Sequence, residues 1–140
     1  RQQELGGQAY FRSQFLTENT KGIYDYLHDS FYPYPALTPA MTWLCDTPPQ
    51  APKVTRRERV DGVKEHLVWS QVKGSHGEAC RYVLYAGKAS PVDTSDPANI
   101  VTVAWNNEYT YNLLSRTLYG LHMAVTAIDR FGNESAPTEF

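Results

Sequence analysis

The stretch Tyr119–Pro137, YGLHMAVTAIDRFGNESAP, decides the fold of this chain. Leu121, Met123, Val125 and Ala127 fall on one face of a period-two strand. His122, Ala124, Thr126 and Ile128 fall on the other. The first face is unbroken and apolar, so it is expected to be core. Asp129-Arg130-Phe131-Gly132-Asn133 then supplies turn chemistry. Gly132 and Asn133 tolerate positive φ, and Asp129 can accept from backbone N–H groups ahead of it. Glu134-Ser135-Ala136-Pro137 opens a short last strand. The pattern predicts a hairpin of a β-sandwich.

Working outward, strand signals recur at Lys53–Glu58, His66–Val72, Arg81–Gly87, Ile100–Trp105, Tyr109–Leu114, Leu121–Asp129 and Ser135–Phe140. Seven strands in about 90 residues match an immunoglobulin-like sandwich. In the second, Leu67, Trp69 and Gln71 share a face, and the Trp69 indole is expected at the sandwich centre. Full burial of such a side chain contributes at least ~1.5–3 kcal/mol. In the third, Tyr82, Leu84 and Ala86 alternate with Arg81, Val83 and Tyr85. Pro52, Pro91 and Pro97 sit where edges and loops tolerate them. Strands without intervening helices exclude a parallel α/β sheet.

Upstream, Gln8–Arg12 reads as a short strand without a partner in the chain. Residues 13–31 read as one amphipathic helix, with Phe15, Ile23, Leu27 and Phe31 at approximate helical spacing. Thr17 or Asn19 can cap it, Gly22 weakens its interior by ~1 kcal/mol, and Pro33 and Pro35 end it. Residues 32–50, YPYPALTPAMTWLCDTPPQ, carry five prolines and read as an extended strap. Its Tyr, Leu, Met and Trp side chains are too apolar for a free tether, so it is expected to lie in a groove between two domains. The domain boundary is placed between Thr47 and Pro48, giving segments 1–47 and 48–140.

The net charge of −2 argues against nucleic acid and anionic membrane surfaces. No apolar run approaches the ~20 residues that span a bilayer. The first residue is Arg1, with no basic-then-apolar leader after it, which reads as an internal residue of a longer precursor. Cys45 and Cys80 leave two readings open, one disulfide or two buried free thiols. The thiols are preferred, because cysteine often serves as a small core hydrophobe.

No cofactor or metal is expected, and no catalytic residue is assigned. His28, His66, His76 and His122 lack ligand spacing for zinc. Asp93 and Asp96 read as turn formers rather than a calcium loop. Ser70, Ser75 and Ser115 lack a nucleophile-elbow frame. Glu58, Asp61 and Glu65, among Arg56, Arg57 and Arg59, read as a solvated hairpin. Tyr109 and Tyr111 share a face with Leu113 and read as core. Trp105 beside Asn106-Asn107 reads as exposed at a turn. It is a candidate substrate-binding platform for a sugar, against the plainer alternative of a packing contact.

The order PPQAPKV, LVWS, RYVLYAG and YGLHMAVTAIDRFGNESAP resembles the fibronectin type III domain over residues 48–140. The closing pattern is similar to modules appended to bacterial secreted glycosidases. Met123 stands where many members carry Tyr. The segments GGQAYFRSQFL, NTKGIYDYL and YPYPALTPAMTWL resemble the end of the (β/α)8 barrel of the glycosyl-hydrolase-like 10 family. In that family the barrel is followed by a fibronectin-III-like domain. The resemblance makes Gln8–Arg12 the last barrel strand, Thr17–Ser30 the last barrel helix and Tyr32–Leu44 the strap.

It implies a mainly β chain: a fibronectin type III/immunoglobulin-like seven-stranded sandwich preceded by a helical arm and Pro-rich strap. It implies a non-catalytic accessory role bracing the catalytic barrel of the same polypeptide, in the periplasm or outside the cell. Arg12, at the end of that strand, becomes a candidate substrate contact or a structural ion-pair former. A carbohydrate-binding module and a protein-interaction or adhesion sandwich stay open as alternatives. Phe15, Ile23, Tyr24 and Leu27 are expected to expose apolar surface or hide it by self-association through the helix.

Overall fold

The computed structural model describes residues 12–113 and 120–140. Gln8–Phe11 of the expected first strand, Leu114 and Ser115 lie outside the described residues, as does Tyr119. The chain forms two compact units, Arg1–Ala36 and Leu37–Phe140. The division falls ahead of the Thr47-Pro48 boundary expected from the prolines.

In the first unit the single helix expected over 13–31, and the barrel helix Thr17–Ser30 within it, are replaced by a broken series of turns. Helix α1 covers Gln14–Thr17, a 3-10 turn covers Thr20–Gly22, and α2 covers Ile23–Tyr26 before a π-turn over Leu27–Phe31. Asn19, Lys21 and Gly22 have φ of 47°, 56° and 72°, which no continuing α-helix permits. The Asn19 side chain explains the break. Its Oδ1 accepts from the backbone N–H of Tyr24 at 2.9 Å and of Asp25 at 3.3 Å, and its Nδ2 donates to Asp25 at 2.7 Å. An amide that bonds the backbone ahead of it competes with the helix through its own position. Among residues 12–36 none is buried: Phe15 and Tyr24 are exposed, and Ile23 and Leu27 are half-buried.

The described residues of the second unit form seven strands, in the order expected. They are β1 Val54–Val60, β2 Lys64–Trp69, β3 Arg81–Gly87, β4 Ile100–Ala104, β5 Glu108–Asn112, β6 His122–Ile128 and β7 Thr138–Glu139. The last is shorter than the expected Ser135–Phe140. Ser135 still donates its N–H to Ala127 O at 2.9 Å, but Pro137 has no N–H to continue the ladder. All pairings are antiparallel, in two sheets of order β1-β2-β5 and β4-β3-β6-β7. Between them lie Leu67, Trp69, Tyr82, Leu84, Met123 and Val125, all nearly inaccessible.

The face of β6 carrying His122, Ala124, Thr126 and Ile128 departs from a simple half-buried strand. Only His122 is exposed. Ala124 and Ile128 join Val83, Tyr85 and Val92 in a second apolar cluster, against which Leu37 and Ile100 pack. Thr126 is buried because its hydroxyl donates to Glu134, which also receives the Tyr85 hydroxyl.

The strap continues past Leu37 along the Asp129–Asn133 turn. Met41 N–H donates to Phe131 O at 2.7 Å. Asn133 Nδ2 donates to Cys45 O at 3.0 Å and to Asp129 Oδ2 at 2.9 Å. Asp129 Oδ1 accepts from the N–H groups of Phe131 and Asn133, as the sequence predicts. Gly132 has φ of 82°, and a Cβ there would stand 2.9 Å from Pro39 O. Asn133 serves through its side-chain amide rather than through a positive φ.

Candidate binding cleft

Trp105 follows the last residue of β4. It is 74% exposed, a large departure for an indole in a folded domain. The turn that follows it is held from below. Trp69 N–H donates to Asn107 O at 3.0 Å, and Asn107 Nδ2 donates to Trp69 O at 2.8 Å. The turn that carries Trp105 is therefore pinned to the end of β2. Tyr82 pairs with Ala104 across β3 and β4, which sets Arg81 beside Trp105. The Arg81 guanidinium carbon lies 5.7 Å from the indole ring centre, a cation–π contact.

The opposite wall comes from the β2–β3 connection. Lys73 and Ala79 form an isolated antiparallel bridge. Gly74 N–H donates to Glu78 O at 3.0 Å, and the Glu78 carboxylate accepts from His76 N–H at 3.0 Å. Val72 N–H donates to the Tyr82 hydroxyl at 3.0 Å, tying the floor to β3. The resulting cleft encloses about 510 Å³, with Gln71, Lys73, Tyr82 and Trp105 in its lining and Cys80 at its base. Burial, with the nearby charges of Glu78 and Asp129, pushes the Cys80 thiol up to about 11, so it stays protonated and unreactive at neutral pH. Cys45 is also a free thiol, 3.2 Å from the Ser75 hydroxyl.

Arg12 belongs to the other unit. It has φ of 65°, is exposed, and its carbonyl accepts from Phe15 N–H at 3.3 Å. Its expected place at a strand end depends on residues 8–11, outside the described residues. Tyr111 is buried and Tyr109 half-buried against the core, in keeping with their shared face with Leu113.

The charged first hairpin contains one departure from a solvated surface. Glu65 is buried, with Arg57 Nε donating to it at 3.0 Å and the Tyr111 hydroxyl donating to its other oxygen. Burial penalises the Glu65 charge. Hydrogen bonds from Arg57 and Tyr111 more than offset this, so the carboxyl is held below its ordinary range. Burial and the Glu65 charge together push Tyr111 up to about 12. The group closes one end of the core, where Arg57 also lies over the Phe140 ring. Among the described residues no cluster of three metal-ligating side chains occurs.

Trp105 is exposed at a turn, as the sequence predicts, but the sequence did not single out Lys73, Gln71 or Arg81 as its neighbours. Arg81 was within reach, since antiparallel pairing of the third and fourth strands sets the residue before Tyr82 next to the residue after Ala104. Lys73 depends on a loop conformation with no periodic signal.

The two antiparallel sheets and their strand order define a fibronectin type III/immunoglobulin-like β-sandwich. No known family profile matches the chain. It is 31% identical over 151 aligned residues to the glycosyl hydrolase YngK of Bacillus subtilis (strain 168). That similarity covers 96% of this chain and 26% of YngK, so the chain spans about a quarter of the relative's length. Among solved structures it is similar to domains A168-A170 from titin, at 22% identity and a TM-score of 0.36. The likeness covers 66% of this chain and 31% of the titin chain.

Proposed function

We propose that the chain is a non-catalytic C-terminal accessory part of a bacterial glycoside hydrolase of the glycosyl-hydrolase-like 10 type. In this role it braces a catalytic barrel carried by the same polypeptide, in the periplasm or outside the cell. The observation that carries the proposal is the extent of the similarity to YngK. It takes in nearly the whole chain, so arm, strap and sandwich recur together beside a much longer remainder. The fate of the carboxylates supports a non-catalytic role. Glycoside hydrolysis needs two carboxyl groups flanking a bond. Glu65 and Asp129 are instead consumed by structural hydrogen bonds, and among the described residues no carboxylate lines the Trp105 cleft.

The test is thermal inactivation of the parent enzyme with and without residues 37–140. Loss of the sandwich is expected to shorten the half-life of glycosidase activity at elevated temperature, while the 140-residue chain alone hydrolyses no glycoside. An unchanged half-life would defeat the bracing role, and turnover by the isolated chain would defeat the non-catalytic one.

A further inference from the structure

We propose that the cleft beside Trp105 binds an acidic saccharide, a glycan bearing uronate groups. The cleft offers an indole that is 74% exposed, carried on a turn pinned by two hydrogen bonds to Trp69. An apolar ring suits the C–H face of a pyranose. The charged side chain in the cleft's lining is cationic, while the Glu78 and Asp129 charges that act on Cys80 stay outside that lining. Lys73 and Gln71 line the cleft, Arg81 adjoins it through the indole, and among the described residues the lining contains no carboxylate. Glu78 Oε2 accepts from His76 N–H within its own loop, and its Oε1 is buried with no hydrogen-bond partner among the described residues. Among the described residues neither Lys73 nor Arg81 is in an ion pair. The hydroxyls of a neutral sugar both donate and accept and ask for no net charge, whereas a ring carboxylate only accepts. This cleft presents cations beside a stacking face, which calls for a carboxylate on the ring. A volume of about 510 Å³ falls in the range of small-ligand sites.

The chain as a whole carries a net charge of −2, so attraction of a polyanion must be local to this cleft. The saccharide class rests on the proposed glycosidase parentage for its polymeric source. The bracing role is measured by heat inactivation and the cleft by ligand binding, so either can fail without the other.

The experiment is affinity electrophoresis of the whole 140-residue chain in gels containing polygalacturonate, hydroxyethylcellulose or polyaspartate. Retardation is expected in polygalacturonate, and little in the other two. Trp105→Ala should weaken it about tenfold, the equivalent of about 1.4 kcal/mol. Lys73→Gln should weaken it severalfold and Trp105→Tyr should restore most of it. Both side chains project from the surface, so urea midpoints of these variants should match the parent chain and separate lost binding from lost folding. No retardation in polygalacturonate would overturn the proposal. Equal retardation in polyaspartate would reduce the cleft to a nonspecific cationic patch and also overturn it. Retardation in hydroxyethylcellulose that survives Lys73→Gln would overturn the acidic class.

Discussion

The Glu65 carboxylate receives Arg57 and the Tyr111 hydroxyl from the two strands flanking its own, so one buried charge joins all three strands of the smaller sheet. Removing the charge leaves Arg57 without its partner. Glu65→Gln is expected to cost about 1–3 kcal/mol at neutral pH. The pH dependence follows from the lowered folded value. The stabilisation is whole above the ordinary carboxylate value of 4.5 and is lost as pH falls from there through the folded value. The gap in urea midpoint between the parent chain and Glu65→Gln should therefore narrow between pH 5 and pH 3. A gap that stays constant would show that the charge is not what matters. The sequence placed Glu65 in a hairpin among three arginines, where solvation is the usual outcome. Its burial depends on Tyr111, a residue on a strand that the local pattern cannot pair with β2.

Among the elements, the strands were the most legible part of the chain, because period-two alternation between turn residues is a local property. The broken arm was not legible from periodicity, because Asn19 acts through side-chain bonds to Tyr24 and Asp25 that compete with the helix. The second buried face of β6 was not legible either. What covers it includes Leu37, far away in the sequence. The strap's seat on the Asp129–Asn133 turn can be tested at Gly132. Gly132→Ala strains a φ of 82° and drives a Cβ toward Pro39 O, and should cost more than about 1 kcal/mol. Gly62→Ala is the control, since Gly62 has φ of 77° and nothing within 4 Å of the added carbon. Urea midpoints should fall further for Gly132→Ala. Equal losses would mean that the strap yields freely and contributes little.

For the molecule as a whole, packing is uneven between the two units. Among the described residues of 12–36 nothing is buried, and Phe15, Tyr24 and Tyr26 are exposed. The second unit holds both apolar clusters. A chain beginning at Leu37 is therefore expected to keep the cooperative unfolding transition of the full chain. It should also bind less of a hydrophobic dye, because the exposed aromatics have been removed. Dye binding that is unchanged on truncation would place the accessible apolar surface elsewhere, with Trp43 and Leu44 the first residues to test. The candidate cleft was partly legible on this scale. An aromatic next to two asparagines announces a turn, but the cations around Trp105 are assembled by strand pairing and by a loop that only the folded chain brings together.

The strap also decides where tension enters the sandwich. A pull on the chain ahead of Leu37 reaches Met41 and Cys45 before it reaches β1. It loads the bonds from Met41 to Phe131 and from Asn133 to Cys45, at the turn between β6 and the last strand. The exposed edge strand β1 bears no load until those bonds have parted. Mechanical work done on the linker is thus spent first on a short peeling step at the Asp129–Asn133 turn, before the strands themselves are loaded.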